Sequence, residues 1–280
     1  MGRNEDAETV ASFGREWSRF DQSTLTADEH KKMFEDYFAI MPWDELPASA
    51  VGVDVGCGSG RWAVLVAERV GHLHCVDASE EALAVAQRVL TAQDNVSYHR
   101  ASVADMPFEP GTLDFCYSLG VLHHVPDTSA AIRSCARLLK PGAPMLLYLY
   151  YALENRPFWF RTLWRVSDSF RSVIAGLPDG LKALATDAIA LTVYWPLSRL
   201  AKALEWLGMS VDGLPLAIYR KHSFYTLRTD SRDRFGTPLE QRFSLAQIQQ
   251  MMAEAGLESL VHSPQAPYWC VLGRKAHHAD

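Results

Sequence analysis

The chain carries acids, glycines and histidines at spacings that suit the binding of a small charged ligand. The stretch VGVDVGCGSGRW, residues 51–62, places Gly56, Gly58 and Gly60 at every second position, with Asp54 two residues before the first of them. Glycines at that density let a ligand approach the backbone closely and allow conformations that a Cβ disfavours. A second acid, Asp77, follows Gly56 by 21 residues. An acid about 20 residues beyond a glycine turn, at the end of the next strand, accepts hydrogen bonds from ribose hydroxyls. His123 and His124 stand side by side further on. Histidine titrates near neutrality, so His123 is a candidate general base, with His124 toward the same acceptor. Adjacent histidines without a cysteine pair do not have zinc-ligand spacing, and no metal is expected.

The spacing narrows the ligand. In the dinucleotide fingerprint G-x-G-x-x-G/A the third glycine would fall on Arg61. Asp54 is a poor neighbour for a pyrophosphate and a good one for an ammonium group. A ligand with an ammonium, a carboxylate and a ribose satisfies both acids, and S-adenosylmethionine is such a ligand. The elements that must hold these groups can be read around them. Val51, Val53 and Val55 form a strand, the glycines a turn, and Arg61 to Arg69 a helix whose start near Gly60 would direct free N–H groups and a positive dipole end at an anionic group. His72 to Val76 is a second strand ending in Asp77, and Ser79 caps the helix that follows. Val96 to His99 and Leu113 to Ser118 read as the third and fourth strands, and Met145 to Tyr150 as a fifth, apolar enough to be buried on both faces. The segment LGVLHHVPD lies at the carboxyl end of the sheet, where open α/β folds bind ligands. Ser118 and Leu119 would pass beside the ligand there, and Tyr148, Tyr150 and Tyr151 end the fifth strand on the same side, with Tyr151 toward the acceptor.

With these motifs in order, residues 50 to 150 resemble a class I S-adenosylmethionine-dependent methyltransferase of the small-molecule type. VGVDVGCGSGRW is similar to that family's first motif and HLHCVDAS to its second. ASVADMPFEPGTLDFCYSLGVLHHVPD resembles the third and fourth, and ARLLKPGAPMLLYLYY the helix, turn and fifth strand. The resemblance implies S-adenosyl-L-methionine as cofactor, held by Asp54, Gly56, Cys57, Gly58, Gly60, Asp77, Ala78, Ser118 and Leu119. It implies an adenine contact at Ser102 and Val103, although the family usually has an acid where Ser102 stands; Asp105 lies close enough in sequence to substitute. It also implies N-terminal helices over the cofactor mouth, with Phe13 and Trp17 on them.

The fold class expected is α/β: a doubly wound, seven-stranded Rossmann-like methyltransferase sheet. Residues 1–48 would form an N-terminal helical cover, and 49–151 with 243–280 the cofactor-binding domain. Residues 152–242 would be a mainly helical insertion after the fifth strand, serving as a lid or acceptor-binding region. Its helices are read over Phe158 to Ile174 and Leu181 to Leu207, with Trp159, Trp164, Trp195 and Trp206 packed between them. Tyr219 to Phe243 lacks helical periodicity and reads as a closing loop, with Arg220, His222, Tyr225, Arg234 and Glu240 as candidate acceptor-pocket residues. The last helix, Gln247 to Ala255, and strands Leu257 to His262 and Tyr268 to Gly273 complete the sheet.

Composition sets outer bounds. The 280 residues carry a formal charge of −6, which argues against a large nucleic-acid footprint. The five cysteines form no CxxC pair and suggest reduced thiols, and the N-terminus lacks a signal peptide's pattern, so a cytoplasmic location is expected. No apolar run reaches the length of a membrane span. The expected function is methyl transfer to an oxygen, nitrogen or carbon of a small-molecule acceptor, large or partly apolar, with a homodimer open. A cofactor-binding protein that acts through partners is the alternative. A nicotinamide oxidoreductase is disfavoured by Asp54 and Arg61.

Overall fold

The computed structural model describes residues 4–20, 25–211 and 213–277. In chain order, α1 (Ala7–Arg19) and α2 (Ala27–Tyr37) precede β1 (Val51–Val55), α3 (Ala63–Ala67), β2 (His72–Asp77), α4 (Glu80–Val89), β3 (Val96–Arg100), β4 (Phe115–Leu119), α5 (Thr128–Arg137) and β5 (Pro144–Tyr148). The helices α6 (Phe158–Ala175), α7 (Asp179–Ile189), α8 (Trp195–Trp206) and α9 (Phe224–Gly236) follow, then α10 (Leu245–Glu254), β6 (Leu257–His262) and β7 (Cys270–Lys275). The chain divides into two compact units: residues 1–22, 31–152 and 239–280, and residues 23–30 with 153–238.

The first unit is built on a seven-stranded sheet in the order β3-β2-β1-β4-β5-β7-β6. The first five strands run parallel, and β7 is antiparallel to β5 and β6. This is the doubly wound, Rossmann-like methyltransferase sheet that the motifs imply. Phe115, Cys116, Met145, Leu146 and Leu147 are fully buried, as expected for central strands covered by helices on both faces. The order places the carboxyl ends of β1 and β4 side by side, and paired register sets Asp54 opposite Tyr117. Polar caps set the helix entries: Asp6, Ser79, Asp127 and Ser244 each accept a backbone N–H of the first turn, and Ser244 forms a capping box with Gln247.

Several boundaries differ from the sequence reading. The fourth strand starts at Phe115, not Leu113, and the last at Cys270, not Tyr268. The helix after the glycine turn is only Ala63–Ala67. Gly60 donates its N–H back to the Cys57 carbonyl at 2.9 Å, so the turn takes a donor that the helix start would have offered a ligand. Beyond the end of this helix the chain passes Ser49 closely at Gly71, where a Cβ would lie 2.7 Å from the Ser49 backbone.

The second unit corrects the reading more strongly. Tyr219 to Phe243 is not an irregular closing loop: it holds a 3-10 turn, Ala217–Lys221, and the helix α9. Leu181 to Leu207 is helical as read, with a π-helical turn, Ala190–Tyr194, between α7 and α8. Helix α9 escapes periodicity analysis because it buries polar residues together with apolar ones. Thr226, Leu227, Thr229, Ser231, Arg232, Phe235 and Gly236 are all buried. The Ser231 hydroxyl donates to the Thr186 carbonyl at 2.9 Å, Thr226 donates to Glu29 at 2.8 Å, and Arg228 pairs with Asp187 at 2.8 Å. Buried polar groups are tolerated when they are hydrogen-bonded. The tryptophans are also not all packed inside: Trp159 and Trp206 are exposed.

Candidate active site

The glycine loop is anchored from below by β2. Gly56 and Cys57 both donate backbone N–H groups to the Val76 carbonyl, at 2.8 and 3.0 Å. Gly58 donates to Asp77 Oδ2 at 2.9 Å. Glycine is required at two of these positions for a specific reason. At Gly58 (φ +54°) a Cβ would stand 2.9 Å from the Trp17 indole, and at Gly56 (φ +79°) 2.4 Å from the Val121 side chain. Trp17, on α1, therefore closes over the loop itself, and Val121 approaches from the segment after β4. The buried Ser59 hydroxyl in the same loop has no hydrogen-bond partner among the described residues.

Two carboxyl groups serve this loop in different surroundings. Asp77 accepts from the Ser79 and Gly58 backbone N–H groups, each at 2.9 Å. Burial raises its pKa, opposed by those N–H groups and that of Ala78. Ser79, not Asp77, caps α4. Asp54 is buried in β1, and its carboxyl oxygen accepts only the Tyr117 hydroxyl, at 2.8 Å, among the described residues. Burial pushes its pKa up to about 8, the Tyr117 hydrogen bond opposes the rise, and the charge of Asp77 adds to it. The free protein thus holds Asp54 protonated at neutral pH, in a place where an entering cation would displace that proton.

An aromatic collar surrounds the loop. The Arg61 guanidinium lies over the Trp62 ring at 4.3 Å and near Trp17 at 5.8 Å. Tyr37 touches both Trp62 (4.9 Å) and Tyr148 (5.0 Å). The Ser102 hydroxyl meets Asp105 at 3.3 Å, so the acid absent from position 102 stands beside it. Val103 is buried next to Ser102. The hydroxyl of Ser118 is occupied, donating to the Val55 carbonyl at 2.8 Å, which leaves backbone and the Leu119 side chain as what that segment can offer. The Cys57 thiol is buried, and its hydrogen bond to Cys75 together with burial pushes its pKa up.

His123 and His124 occupy a 3-10 turn, Leu122–His124, after β4. His124 places Nδ1 2.6 Å from the Leu239 carbonyl and its ring 4.9 Å from Phe13. His123 is fully buried, neither ring nitrogen has a hydrogen-bond partner among the described residues, and its ring lies 3.9 Å from that of Tyr150. Burial, reinforced by His124 and Arg242, pulls its pKa well below the usual value, so the ring is neutral at physiological pH.

The sequence reading missed Gln241 and Arg242 near His123. Of the tyrosines it placed at the end of the fifth strand, Tyr150 is the one beside the histidines; Tyr151, the one taken as an acceptor contact, packs instead against Tyr268 (5.5 Å) and Trp269 (6.3 Å). The signal was strand alternation, which puts Tyr148 and Tyr150 on one face. Arg242 lies over the Tyr150 ring at 4.9 Å and pairs with Glu240 at 2.8 Å. Gln241 donates its backbone N–H to the His123 carbonyl at 3.0 Å, which ties the returning chain to this loop. No local motif marks residues 241 and 242, because their role comes from a contact across more than a hundred residues.

The remaining sequence candidates lie in the second unit. Arg220 pairs with Glu205 at 3.0 Å, and His222 Nδ1 meets the Ile218 carbonyl at 3.1 Å. Arg234 pairs with Asp168 at 3.3 Å and covers the Trp164 ring at 4.6 Å. Tyr225 sits half-buried in the first turn of α9. These side chains are engaged in holding their own unit together, and Arg220 and Arg234 lie in separate ion pairs rather than one cluster.

A glycine loop after β1, an acid closing β2 and a sheet ordered 3-2-1-4-5-7-6 define the class: this is a class I S-adenosylmethionine-dependent methyltransferase domain. Residues 53–147 match the family described as methyltransferase domain. The chain is 34% identical over 147 residues to the ubiquinone biosynthesis O-methyltransferase of Pseudomonas paraeruginosa, covering 49% of this chain and 62% of that protein. It is 30% identical over 138 residues to the protein of the same name from Aromatoleum aromaticum, covering 48% and 57%. A demethylmenaquinone methyltransferase of Bacillus licheniformis is 24% identical over 151 residues, covering 52% and 64%. The chain therefore spans less than two thirds of each of these relatives. Among solved structures, a candidate S-adenosyl-L-methionine-dependent methyltransferase from Methanococcus maripaludis superposes with a TM-score of 0.54 at 13% identity, over 99% of this chain and 98% of that one. The YcgJ protein of Bacillus subtilis gives 0.50 at 15% identity, over 90% and 100%. Both share the fold.

The residues present fit S-adenosylmethionine, the cofactor of such domains. A buried acid poised to lose its proton suits an ammonium group, a carboxylate at the end of β2 suits ribose hydroxyls, and the partnerless Ser59 hydroxyl leaves hydrogen-bonding capacity in the loop.

Proposed function

We propose that the protein transfers a methyl group to a hydroxyl of an aromatic small molecule. The observation that carries this reading is the pairing of the Asp54–glycine-loop–Asp77 cradle with a neutral, buried His123 held against Tyr150. The names of the relatives, ubiquinone biosynthesis O-methyltransferase and demethylmenaquinone methyltransferase, support an aromatic acceptor. When bound, S-adenosylmethionine supplies a sulfonium-activated methyl group.

The protein's own tasks are then alignment and exclusion of water. Asp77 would accept ribose hydroxyls and Asp54, once ionised, would hold the ammonium end. Ser102, Asp105 and the Val103 backbone would take the adenine. Trp17 and Trp62 would shield the loop from solvent. A phenolic acceptor must lose a proton during attack. His123 is the proposed base, since a neutral imidazole with unpaired nitrogens has a lone pair to receive it. Tyr150 and Arg242 would orient that ring.

Transfer of a labelled methyl group from S-adenosylmethionine to catechol- and quinol-type acceptors tests the proposal. Label in an ether product is expected. Label in amines or carbon acceptors alone would overturn the hydroxyl assignment. Tight binding of NAD in preference to S-adenosylmethionine by titration calorimetry would overturn the cofactor assignment.

A further inference from the structure

The second unit has an inverted distribution of side chains. Its interior is rich in polar groups: Lys182, Thr186, Ser198, Thr229, Ser231 and Arg232 are all buried. Its buried apolar residues are few, with Tyr194, Leu227 and Phe235 forming one small cluster. The large apolar side chains point outward instead. On α6, Trp159, Leu163, Val166, Phe170 and Val173 recur at alternating four- and three-residue spacing, which makes one continuous helical stripe. Phe170 is 62% exposed and Val173 68%. On α7 and the π-helical turn, Leu181, Leu184 and Leu191 are exposed in the same rhythm, and α8 ends in Trp206, 85% exposed, and Leu207. Single exposed apolar residues are ordinary, but aligned stripes on successive helices mark an interaction surface.

Charge identifies what the surface meets. The second unit, residues 23–30 with 153–238, contains twelve Lys and Arg against ten Asp and Glu, a surplus of two positive charges. The whole chain carries −6, so the remainder carries −8. Arg161 and Arg165 on α6 and Lys202 on α8 are exposed on the same helices. A second copy apposed through these helices would bring two positive units together, which like-charge repulsion opposes. No helix among the described residues is long and apolar enough to cross a membrane. An amphipathic helix with aromatic and aliphatic residues on one side and cations beside them lies in the plane of a membrane interface, its apolar face among the acyl chains.

We propose that α6, α7 and α8 seat the protein on an anionic phospholipid surface, with the α6 stripe and Trp206 inserted and the exposed arginines and lysine at the headgroups. The interaction needs no cofactor and does not rest on the acceptor assigned above.

Flotation of the full chain with vesicles tests this. Binding to phosphatidylcholine vesicles containing about 30 mol% phosphatidylglycerol is expected, about tenfold or more weaker without the anionic lipid and weakened by salt. The double variant Phe170→Asp/Val173→Asp, and separately Trp206→Asp, are each expected to reduce binding about tenfold or more. Both act on exposed side chains, so circular dichroism and S-adenosylmethionine titration are expected to match the parent. Brominated lipids are expected to quench tryptophan fluorescence in the parent and less in Trp206→Asp. Absence of vesicle binding would overturn the proposal, as would equal binding to neutral vesicles. So would sedimentation as a dimer that the same substitutions dissociate.

Discussion

Asp54 gives the most direct test of the cofactor cradle, because its proton is coupled to the ligand's charge. In the free protein burial holds its pKa at about 8, with the Tyr117 hydroxyl as its hydrogen-bond donor at 2.8 Å. An ammonium group beside it stabilises the ionised form, so binding must release the proton. If the bound pKa falls below about 6, apparent affinity drops roughly tenfold for each pH unit below about 8, at about 1.4 kcal/mol per unit. Between about pH 8 and pH 6 the loss is then about a hundredfold, or roughly 2.7 kcal/mol. Above about pH 8 the Asp54 contribution is flat. Titration calorimetry with S-adenosylmethionine across this range measures the slope. Repeating it near pH 7 in buffers of different ionisation enthalpy counts the released proton, expected to be about one. Asp54→Asn removes the slope together with much of the affinity. Tyr117→Phe removes the bond that favours the ionised form, so it moves the break in the profile to higher pH. An affinity independent of pH in the parent, or a slope that persists in Asp54→Asn, would refute the reasoning.

Three further outcomes are expected. Gly58→Val drives a branched side chain into Trp17 at a backbone φ of +54°, so it abolishes S-adenosylmethionine binding and costs about 1–2 kcal/mol of stability; normal binding by calorimetry would reduce the loop to a structural turn. Asp77→Ala weakens cofactor binding by about 1–3 kcal/mol, and unchanged affinity in a folded variant would remove Asp77 from the site. His74, whose pKa burial and the neighbouring His72 and His99 lower to about 4, is neutral in the fold and charged in the unfolded chain between that value and its ordinary one. Stability therefore falls as pH drops through that window, by no more than about 1 kcal/mol because the ring is half-exposed, and His74→Phe flattens this part of a urea-unfolding series.

What the sequence made legible follows the reach of its signals. The glycine turn, Asp54 and Asp77 are readable because one strand, one turn and the next strand bring them together within some two dozen residues. The sheet order follows from the alternation of strand and helix and right-handed crossovers. Tyr150 could have been separated from Tyr151 by strand alternation alone. Arg242 and Gln241 could not be found, since they reach His123 and Tyr150 only because the chain returns beside β5 after a long excursion. Helix α9 was hidden for a different reason. Periodicity detects an apolar face turned inward, and α9 buries polar residues together with apolar ones while its neighbours turn their apolar faces out.

The two acids of the cradle show how one fold assigns different tasks to the same functional group. Both carboxyls are raised by burial, but Asp77 is met by backbone N–H groups from the loop and from the start of α4, whereas Asp54 is met by one phenol. Backbone donors are fixed in place and favour a charged acceptor, which is what hydroxyl groups of a ribose need opposite them. A buried acid with a single neutral donor remains protonated until a cation arrives, which suits an ammonium group that must leave again with the spent cofactor. Interchanging the two environments would change both functions. An Asp54 ionised in the free protein would raise affinity near pH 7 only by about tenfold, or roughly 1.4 kcal/mol, and would remove its pH dependence, whereas a protonated Asp77 would lose an acceptor while leaving the Gly58 N–H with a weaker partner. The position of each acid on its strand therefore matters as much as its identity. Asp54 lies within β1, paired in register with Tyr117, and Asp77 closes β2, where the chain turns back toward the glycines.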